Sequence, residues 1–281
     1  MAVLNIYDKK RIDYWKFKKN LNSDSYIIGA VIGSGISFLN AVNAGVDFAI
    51  VLSSGKYRQM GRGSLASFLC YKNSNDLVMN IGTREILSLS KKTPIFFGLN
   101  ATDPTKDLYS YIKEIKEAGF SGISNFPSVG LIDGVFRQNL EETGMGYGLE
   151  VEMIRKAHEL DMLTIPYVFD EYQAEEMAKA GADILVAHMD LTTKGTIGAK
   201  TVLTLDGCIK KIEKIIEAGK KVNPNILVIC HGVPIAEPAD AEYVIKNTKG
   251  INGFFGASSI ERFAAEKEIK EQAAAFKEIT K

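Results

Sequence analysis

The sequence has few of the features that mark secreted, membrane or zinc-binding proteins. Its three cysteines, Cys70, Cys208 and Cys230, show no CxxC spacing, which argues against a disulfide framework and a zinc site. No stretch approaches the ~18 consecutive apolar residues of a membrane-spanning helix. The first residues, MAVLNIYDKKRIDYW, carry charges where a signal peptide has its apolar run. We therefore expect a cytoplasmic protein with reduced thiols and no membrane partner.

An excess of charge of one sign is also missing. The 34 lysines and arginines balance the 34 aspartates and glutamates, and 46% of the residues are hydrophobic. This composition argues against a disordered tail and against a polybasic nucleic-acid binder. The GxGxxG motif is absent because the GSG at 33–35 continues as ISF. We therefore expect neither a nucleic-acid partner nor a nucleotide cofactor.

Eight short apolar runs alternate with longer segments of helical periodicity, which is typical of βα units around a parallel sheet. Eight such units predict an α/β fold, the (β/α)₈ TIM barrel, here as a single domain over 1–281. We expect a short N-terminal helical extension at 1–25 and long loops after strand two (54–92) and strand four (127–149). Glycines predict the ends of three helices at Gly119, Gly181 and Gly219. The apolar runs cover 26–32, 48–53, 94–100, 122–126, 163–169, 184–189, 226–231 and 251–256.

In such a barrel the active site lies where the strands end, so the residues that follow each apolar run are the candidates. The segment GFFGASSIER (253–262) combines a strand, a Gly/Ser turn and a helix start, which predicts an anion site. The alternative is that a serine only caps a helix that starts near Ile260, with Glu261 offsetting the dipole. The predicted anion-binding residues are Gly33, Gly35, Ser54, Arg58, Arg62, Asn125, Gly232, Gly256, Ser258 and Ser259. The basic loop after strand two is alternatively a solvated loop or a subunit contact.

Three residues are candidates for proton transfer. His188 and His231 each end an apolar run, and a histidine there can exchange protons near pH 7 or donate to an oxyanion. Either is alternatively a buried histidine bonded to a neighbouring carbonyl. Glu142 lies in the glycine-rich loop after strand four and is a candidate acid or base, a Mg²⁺ ligand, or surface charge. Cys230 adjoins His231 and should face away from it.

Four long segments carry a family resemblance: 125–147, 182–201, 230–241 and 253–262. They resemble the phosphoenolpyruvate hydrolase-like TIM-barrel family, also called TIM-barrel signal transduction proteins. The resemblance runs from about Ile28 to Phe276 and implies a barrel related to phosphoenolpyruvate mutase and isocitrate lyase. Every predicted anion-binding residue except Gly256 matches the family pattern, and so do the three proton-transfer candidates. The other matching positions include Tyr57, Gly61, Gly63, Ser64, Thr102, Asp103, Asp133, Glu141, Tyr147, Thr192, Thr193 and Glu261.

The sequence also departs from the family pattern. Leu39 stands where a lysine is usual, Asp190 and Val233 stand where glycines are usual, and Asn100-Ala101 replaces a Cys-Gly pair. The Asp-x-Glu-Asp metal cluster and the Lys-Lys-Cys-Gly-His loop of the mutase and lyase relatives are absent. Mutase or lyase chemistry therefore does not transfer residue by residue.

Two functions remain open from the sequence. The first is a phosphoenolpyruvate hydrolase-like enzyme, a hydrolase or lyase that binds a small phosphorylated or carboxylated metabolite, with Mg²⁺ as a candidate cofactor and its metal ligands unassigned. The second is a sensing or signal-transduction barrel that binds a ligand and a protein partner. Histidines, arginines and carboxylates at strand ends favour the enzyme, whereas Leu39 favours the sensor. Either form is expected to be a homo-oligomer.

Overall fold

The computed structural model describes residues 25–90, 92–189, 203–232 and 234–279. Nine parallel strands form one sheet in the order β5-β4-β3-β2-β1-β9-β8-β7-β6. The predicted extension lies outside the described residues apart from its last residue. The strands are β1 Ile27–Ile32, β2 Phe48–Val51, β3 Ile95–Leu99, β4 Gly122–Asn125, β5 Leu163–Thr164, β6 Tyr167–Val168, β7 Ile184–His188, β8 Leu227–His231 and β9 Gly253–Gly256.

The predicted fifth strand is divided into β5 and β6, which lie at the two ends of the sheet order. The backbone N–H of Ile165 donates to the Ile123 carbonyl at 2.9 Å, and that of Val186 donates to the Pro166 carbonyl at 2.8 Å. The segment 163–168 thus bonds to β4 with its first half and to β7 with its second. It closes the sheet, which confirms the predicted (β/α)₈ barrel.

Ten helices surround the sheet in the part of the chain that the structure describes, and none of them has the length and apolar character needed to cross a membrane. The two long loops contain helices of their own: α2 and α3 follow β2, and α5 follows β4. The helices are α1 Gly35–Asn43, α2 Ser53–Gln59, α3 Ser74–Ile81, α4 Leu108–Ala118, α5 Gly134–Glu142, α6 Gly148–Glu159, α7 Glu171–Lys179, α8 Leu205–Val222, α9 Pro238–Asn247 and α10 Arg262–Lys277.

Two of the three helix ends that were predicted from glycines are confirmed. Gly119 (φ 105°) and Gly181 (φ 90°) follow α4 and α7 in the left-handed region that glycine tolerates. The third prediction is wrong, because α8 continues through Gly219 to Val222. A Cβ at Gly219 would lie 2.7 Å from the Leu185 side chain, so this glycine allows the helix to pack closely on β7.

Side chains fill both sides of the strands. Alternate strand residues point into the barrel, where Phe48, Phe96 and Phe255 are almost fully buried, and the others pack against the helices. Interior glycines provide the space for these rings: a Cβ at Gly29 would overlap the Phe48 ring at 2.0 Å. The barrel interior is therefore a packed core, and open space is confined to its mouth.

Candidate functional site

A small pocket opens at the carboxyl ends of the strands. The residues after β2, β4 and β9 contribute to its wall, as do the last residues of β7 and β8. Its space is about 420 Å³ when the part open to solvent is included, and the centre of a water molecule can occupy about 30 Å³ of it. The lining residues are Leu52, Ser54, Arg58, Ser64, Phe68, Phe126, Leu131, Tyr167, His188, His231, Ala257 and Ser258.

Two histidines lie side by side in this pocket. His188 and His231 are paired in the register of β7 and β8, and their ring centroids are 4.9 Å apart. Nδ1 of His231 lies 2.7 Å from the carbonyl oxygen of Phe255. Because a carbonyl oxygen only accepts, Nδ1 carries the proton and Nε2 of the neutral ring is an acceptor.

Burial among aromatic rings keeps both histidines uncharged. Desolvation lowers the pKa of His231 to about 4. Burial, followed by the neighbouring His231, holds the pKa of His188 well below its usual value. At neutral pH both rings are therefore hydrogen-bonding groups and proton acceptors. Cys230 belongs to the outer core, away from the pocket, and burial raises its thiol pKa to about 12.

The predicted anion-binding Arg58 is held by a buried carboxylate. Its Nε and Nη2 donate to Oε2 of Glu261 at 3.3 and 3.1 Å, and both side chains are almost fully buried. Oε1 of Glu261 accepts the backbone N–H of Gly33 at 2.7 Å. The ion pair joins the loops after β1, β2 and β9 at the pocket wall.

The same guanidinium orients two serines. Nη1 of Arg58 donates to the hydroxyl oxygens of Ser54 at 3.1 Å and Ser64 at 3.2 Å. No described residue accepts the hydroxyl hydrogen of either serine, so both remain available as donors in the pocket. Nor does any described residue accept the backbone N–H of Ser258 or Ser259, which leaves those amides available for an anion.

The predicted Asn125 supports the pocket from behind. Its Nδ2 donates to Glu150 and to the Tyr167 carbonyl oxygen, and its Oδ1 accepts the backbone N–H of Tyr167. Glu150 also accepts from Ser128 Oγ and from the Val129 backbone N–H, each at 2.8 Å. Burial raises the pKa of Glu150 to about 7. This network fixes the loop after β4, which brings a phenylalanine to the pocket.

Other predicted residues lie elsewhere. Glu142 is exposed on α5, where it accepts a hydrogen bond from Gln138, and it does not line the pocket. Arg62 is exposed as well. Leu39 is 42% exposed on α1 and also does not line the pocket, so the absent lysine gives no support to the sensor hypothesis.

The predicted glycines and Ser259 act mainly in packing. A Cβ at Gly33 would lie 2.1 Å from the Gly55 backbone, and one at Gly35 would lie 2.9 Å from the carbonyl oxygen of Glu85. Gly232 turns the chain after β8 with φ 95°, and Gly256 leaves space for the Ile260 side chain. Ser259 lines an apolar groove on the outside of the barrel. The helix predicted to start near Ile260 begins at Arg262, preceded by a helical turn.

Residues outside the predicted catalytic and anion-binding sets complete the site. Tyr167 lies between the histidines and the barrel floor, with ring centroids 5.1 Å from His188 and 5.4 Å from His231. Glu150 carried one signal: it precedes Met153 and Ile154 by three and four residues and shares their buried helix face. The link between Glu261 and Arg58 spans 203 positions and carried no local signal.

The described residues do not fit a Mg²⁺ site. No group of three or more His, Cys, Asp or Glu side chains among them is arranged to hold a metal ion. Glu261, the carboxylate beside the pocket, is already bonded to Arg58 and Gly33. Asp190, which follows β7 by two positions, lies outside the described residues, as do Thr192, Thr193 and Val233.

A closed parallel barrel with histidine, arginine and serine side chains in a pocket at its strand ends defines a (β/α)₈-barrel protein whose candidate site lies at the mouth of the barrel. The chain belongs to the phosphoenolpyruvate hydrolase-like family, whose model matches residues 14–279. This confirms the resemblance found in the sequence.

Named relatives come from a plant and a bacterium. The ToMV susceptible protein tm-1(GCR26) of Solanum lycopersicum is 45% identical over 272 residues, which cover 97% of this chain and 36% of that protein. The putative transcriptional regulatory protein y4pA of Sinorhizobium fredii is 34% identical over 253 residues, covering 90% of this chain and 41% of that protein. The chain thus spans about a third of the tomato relative's length.

Solved structures share the fold at low sequence identity. Phosphonopyruvate hydrolase in complex with oxalate and Mg²⁺ has a TM-score of 0.61 at 14% identity, covering 98% of this chain and 87% of that one. Oxaloacetate acetylhydrolase has a TM-score of 0.60 at 12% identity, covering 94% and 86%. These structures place the chain in the fold of the phosphoenolpyruvate mutase and isocitrate lyase barrels.

Proposed function

We propose that this protein is a phosphoenolpyruvate hydrolase-like enzyme that acts on a small carboxylated or phosphorylated metabolite at the barrel mouth. The observation that carries the proposal is the neutral pair His188 and His231 beside the hydroxyls of Ser54 and Ser64 in one pocket. Proton acceptors and oxygen-binding donors are the two kinds of group that hydrolysis or C–C cleavage of an oxyacid needs.

The roles of the side chains follow from their hydrogen bonds. Ser54, Ser64 and the backbone N–H of Ser258 donate to ligand oxygens. Nε2 of His231 accepts a proton from the ligand or from a water that attacks it, while the Phe255 carbonyl holds Nδ1 protonated. The apolar rings of Phe126 and Tyr167 exclude bulk water and strengthen these interactions.

Similar proteins support the substrate class. Phosphonopyruvate hydrolase has been solved with oxalate and Mg²⁺, and oxaloacetate acetylhydrolase with 3,3-difluorooxalacetate. Both ligands are small carboxylates, as proposed for this pocket. Since the described residues do not fit a metal site, we assign no step to Mg²⁺ and include it in the assay as a variable.

The test is turnover of phosphoenolpyruvate, measured as release of phosphate and of pyruvate with and without added Mg²⁺. We expect saturable release that is lost in His231→Gln and retained in His158→Gln, which changes an exposed histidine outside the pocket. Binding of phosphoenolpyruvate without turnover would reject hydrolysis of this compound. Absence of both binding and turnover would reject phosphoenolpyruvate as the ligand.

A sensing barrel is the second candidate, and exposed apolar side chains around the mouth favour it. Tyr71, Val135 and Phe136 are 70%, 72% and 65% exposed on the segments after β2 and β4. Apolar side chains in such positions are typical of protein-binding surfaces. Ligand binding without turnover, together with ligand-dependent protection of these segments from hydrogen exchange, would support this function.

A homo-oligomer remains part of the proposal, with a second copy covering the exposed apolar side chains of α10 and the apolar groove on the outside of the barrel. In the described part of α10 only Arg262 is buried, and Ile269 and Phe276 are 69% and 65% exposed. The groove beside β1 and β9 is lined by Ile28, Phe254 and other apolar residues. We expect Ile269→Glu with Phe276→Glu to yield monomers by light scattering. A cytoplasmic location is consistent with the three free cysteines.

A further inference from the structure

The net charge of the pocket limits which ligands can bind more strictly than the shape of the pocket does. Arg58 is the only charged side chain among the described residues that line it. Glu261 carries the opposite charge. Its Oε2 lies 3.1 Å from Nη2 of Arg58, and both side chains are almost fully buried. Both histidines are neutral at pH 7. The described part of the pocket therefore has a net charge near zero, although it contains an arginine.

The hydrogen-bonding capacity of Arg58 is nearly used up. A guanidinium has five N–H donors, and four of them bond to Glu261, Ser54 and Ser64. A ligand cannot form a two-pronged contact with Arg58 unless Glu261 moves away. Such a displacement would leave a buried carboxylate without its cation, which is strongly unfavourable.

The described cations on the segments after β2 and β4 do not compensate for this. Lys56 pairs with Glu85 at 3.1 Å, and Arg137 donates to Glu141 at 2.6 Å. Arg62 is exposed and does not line the pocket. Apart from the fifth guanidinium N–H of Arg58, the donors left for a ligand in the described part of the pocket are neutral ones, among them the serine hydroxyls and the Ser258 amide. Neutral donors form weaker hydrogen bonds to an anion than charged ones do, and a dianion brings a larger desolvation cost.

One position in the pocket requires a donor from the ligand. Nδ1 of His231 is committed to the Phe255 carbonyl, so Nε2 presents a lone pair. A ligand hydroxyl or amine satisfies this acceptor, whereas a ketone or a carboxylate oxygen placed there would repel it. Leaving such a buried acceptor without a partner reduces affinity roughly 10-fold or more.

We propose that Glu261 sets the charge class of the ligand: by neutralising Arg58, it makes the pocket select a small hydroxylated compound with at most one negative charge over a phosphate dianion. Ser54, Ser64 and Ser258 bind the ligand oxygens, and His231 accepts its hydroxyl hydrogen. This inference rests on the proposed function of the same pocket and ranks its ligands: a hydroxylated monocarboxylate binds more tightly than a phosphorylated compound such as phosphoenolpyruvate, which saturates the site only at a higher concentration.

The first experiment ranks three probes on the wild-type protein by calorimetry at constant ionic strength. Lactate has one charge and a hydroxyl, pyruvate has one charge and no hydroxyl, and phosphoenolpyruvate carries a phosphate. We expect lactate to bind about 10-fold more tightly than pyruvate, and phosphoenolpyruvate to bind most weakly. Tighter binding of phosphoenolpyruvate than of lactate overturns the inference but leaves the proposed function standing.

The second experiment removes the compensating charge. In Glu261→Gln, Arg58 regains an unbalanced charge, and we expect inorganic phosphate to bind roughly 10- to 100-fold more tightly than to the wild type. Glu266→Gln is the matched control, since it removes one carboxylate from α10 outside the pocket, where Glu266 pairs with Arg262. An unchanged phosphate affinity in Glu261→Gln overturns the inference.

These experiments separate the two proposals. If none of the three probes binds the wild type, the proposed function fails, and the inference is then decided by the phosphate affinity of Glu261→Gln. If that variant does not fold, the ranking on the wild type decides the inference without it.

Discussion

Nδ1 of His231 donates a hydrogen bond to the carbonyl oxygen of Phe255 across 2.7 Å. This contact between two neighbouring strands fixes both the tautomer and the orientation of the ring. It also leaves Nε2 as the ring nitrogen with an unshared lone pair. A histidine in this arrangement is poised to accept a proton at Nε2, and its removal should affect the reaction more than binding.

We expect His231→Gln to lower turnover by ~10²–10⁴, because proton transfer acts on the transition state. The affinity for a hydroxylated ligand should fall by no more than about 10-fold, because only the hydrogen bond to Nε2 is lost. Glutamine keeps an amide N–H for the Phe255 carbonyl. Steady-state kinetics with calorimetry measure the two effects separately. Lost affinity with residual turnover at saturation would instead make His231 an anchor, and a lower melting temperature with both parameters spared would make it a core residue.

The pH dependence of stability provides a second test. The pKa of His231 is about 4 in the folded protein against an ordinary value of 6.5, so the unfolded chain binds more protons between these values. Stability should therefore fall as the pH drops from about 6.5 to 4, by up to about 3 kcal/mol from this residue. Urea unfolding should show a shallower acid loss in His231→Gln than in the wild type. His158→Gln, at an exposed site, should retain the wild-type slope.

Glu150 provides a third prediction, about the loop after β4. In Glu150→Gln one carboxyl oxygen becomes an N–H₂ that faces either Nδ2 of Asn125 or the backbone N–H of Val129, so two donors meet in a buried site. A protonated carboxyl avoids this because its single hydrogen can turn away from both donors. We expect a loss of about 1–3 kcal/mol at pH 5.5, measured by urea unfolding. Glu152→Gln, on the exposed side of the same helix, should change stability by less than about 0.5 kcal/mol.

The difference in stability between the wild type and Glu150→Gln should depend on pH in a known direction. Because burial raises the folded-state pKa of Glu150 to about 7, the folded protein binds more protons than the unfolded chain between about 4.5 and 7. The stability of the wild type therefore decreases through this range as the pH rises. The gap between wild type and Glu150→Gln should narrow toward pH 8, and a gap that widens would contradict the raised pKa.

Two glycines near the pocket should respond differently to alanine. A Cβ at Gly33 would lie 2.1 Å from the Gly55 backbone, which cannot yield as a flexible side chain would. We expect Gly33→Ala to cost at least ~1–3 kcal/mol. Gly63 has φ −68°, and no atom lies within 4 Å of the place that an alanine methyl would occupy, so Gly63→Ala should be neutral or stabilising by up to ~1 kcal/mol. Thermal unfolding of both variants checks this contrast.

Arg58 and Arg62 form a further matched pair. Lysine at 58 cannot bond to Glu261, Ser54 and Ser64 together, so the serine hydroxyls lose their orientation. We expect Arg58→Lys to weaken ligand binding by about 1–3 kcal/mol in calorimetry. Arg62 is exposed, and Arg62→Lys should leave binding unchanged. Equal affinities for the two variants would give Arg58 a purely structural role.

The sequence by itself determined the fold and the face of the barrel on which the candidate pocket lies. Runs such as ILVICH combine the length and β-branched composition of buried strands. Eight such runs with helical segments between them predict a parallel barrel. His188 and His231 were identified because a barrel's functional face lies at its strand ends. These inferences depend on spacing along the chain, which sequence records directly.

Only the tertiary structure decided which side chains meet. Arg58 and Glu261 are 203 positions apart, and the folded barrel brings them within 3.1 Å in a place that excludes water. The sequence predicts Arg58 as an anion-binding residue, whereas the structure shows it in an ion pair with Glu261 that has no net charge. Glu142 and Arg62, equally plausible from their loops, are left in solvent. Burial and charge compensation arise from packing between distant segments, and these two properties decide what the pocket can bind.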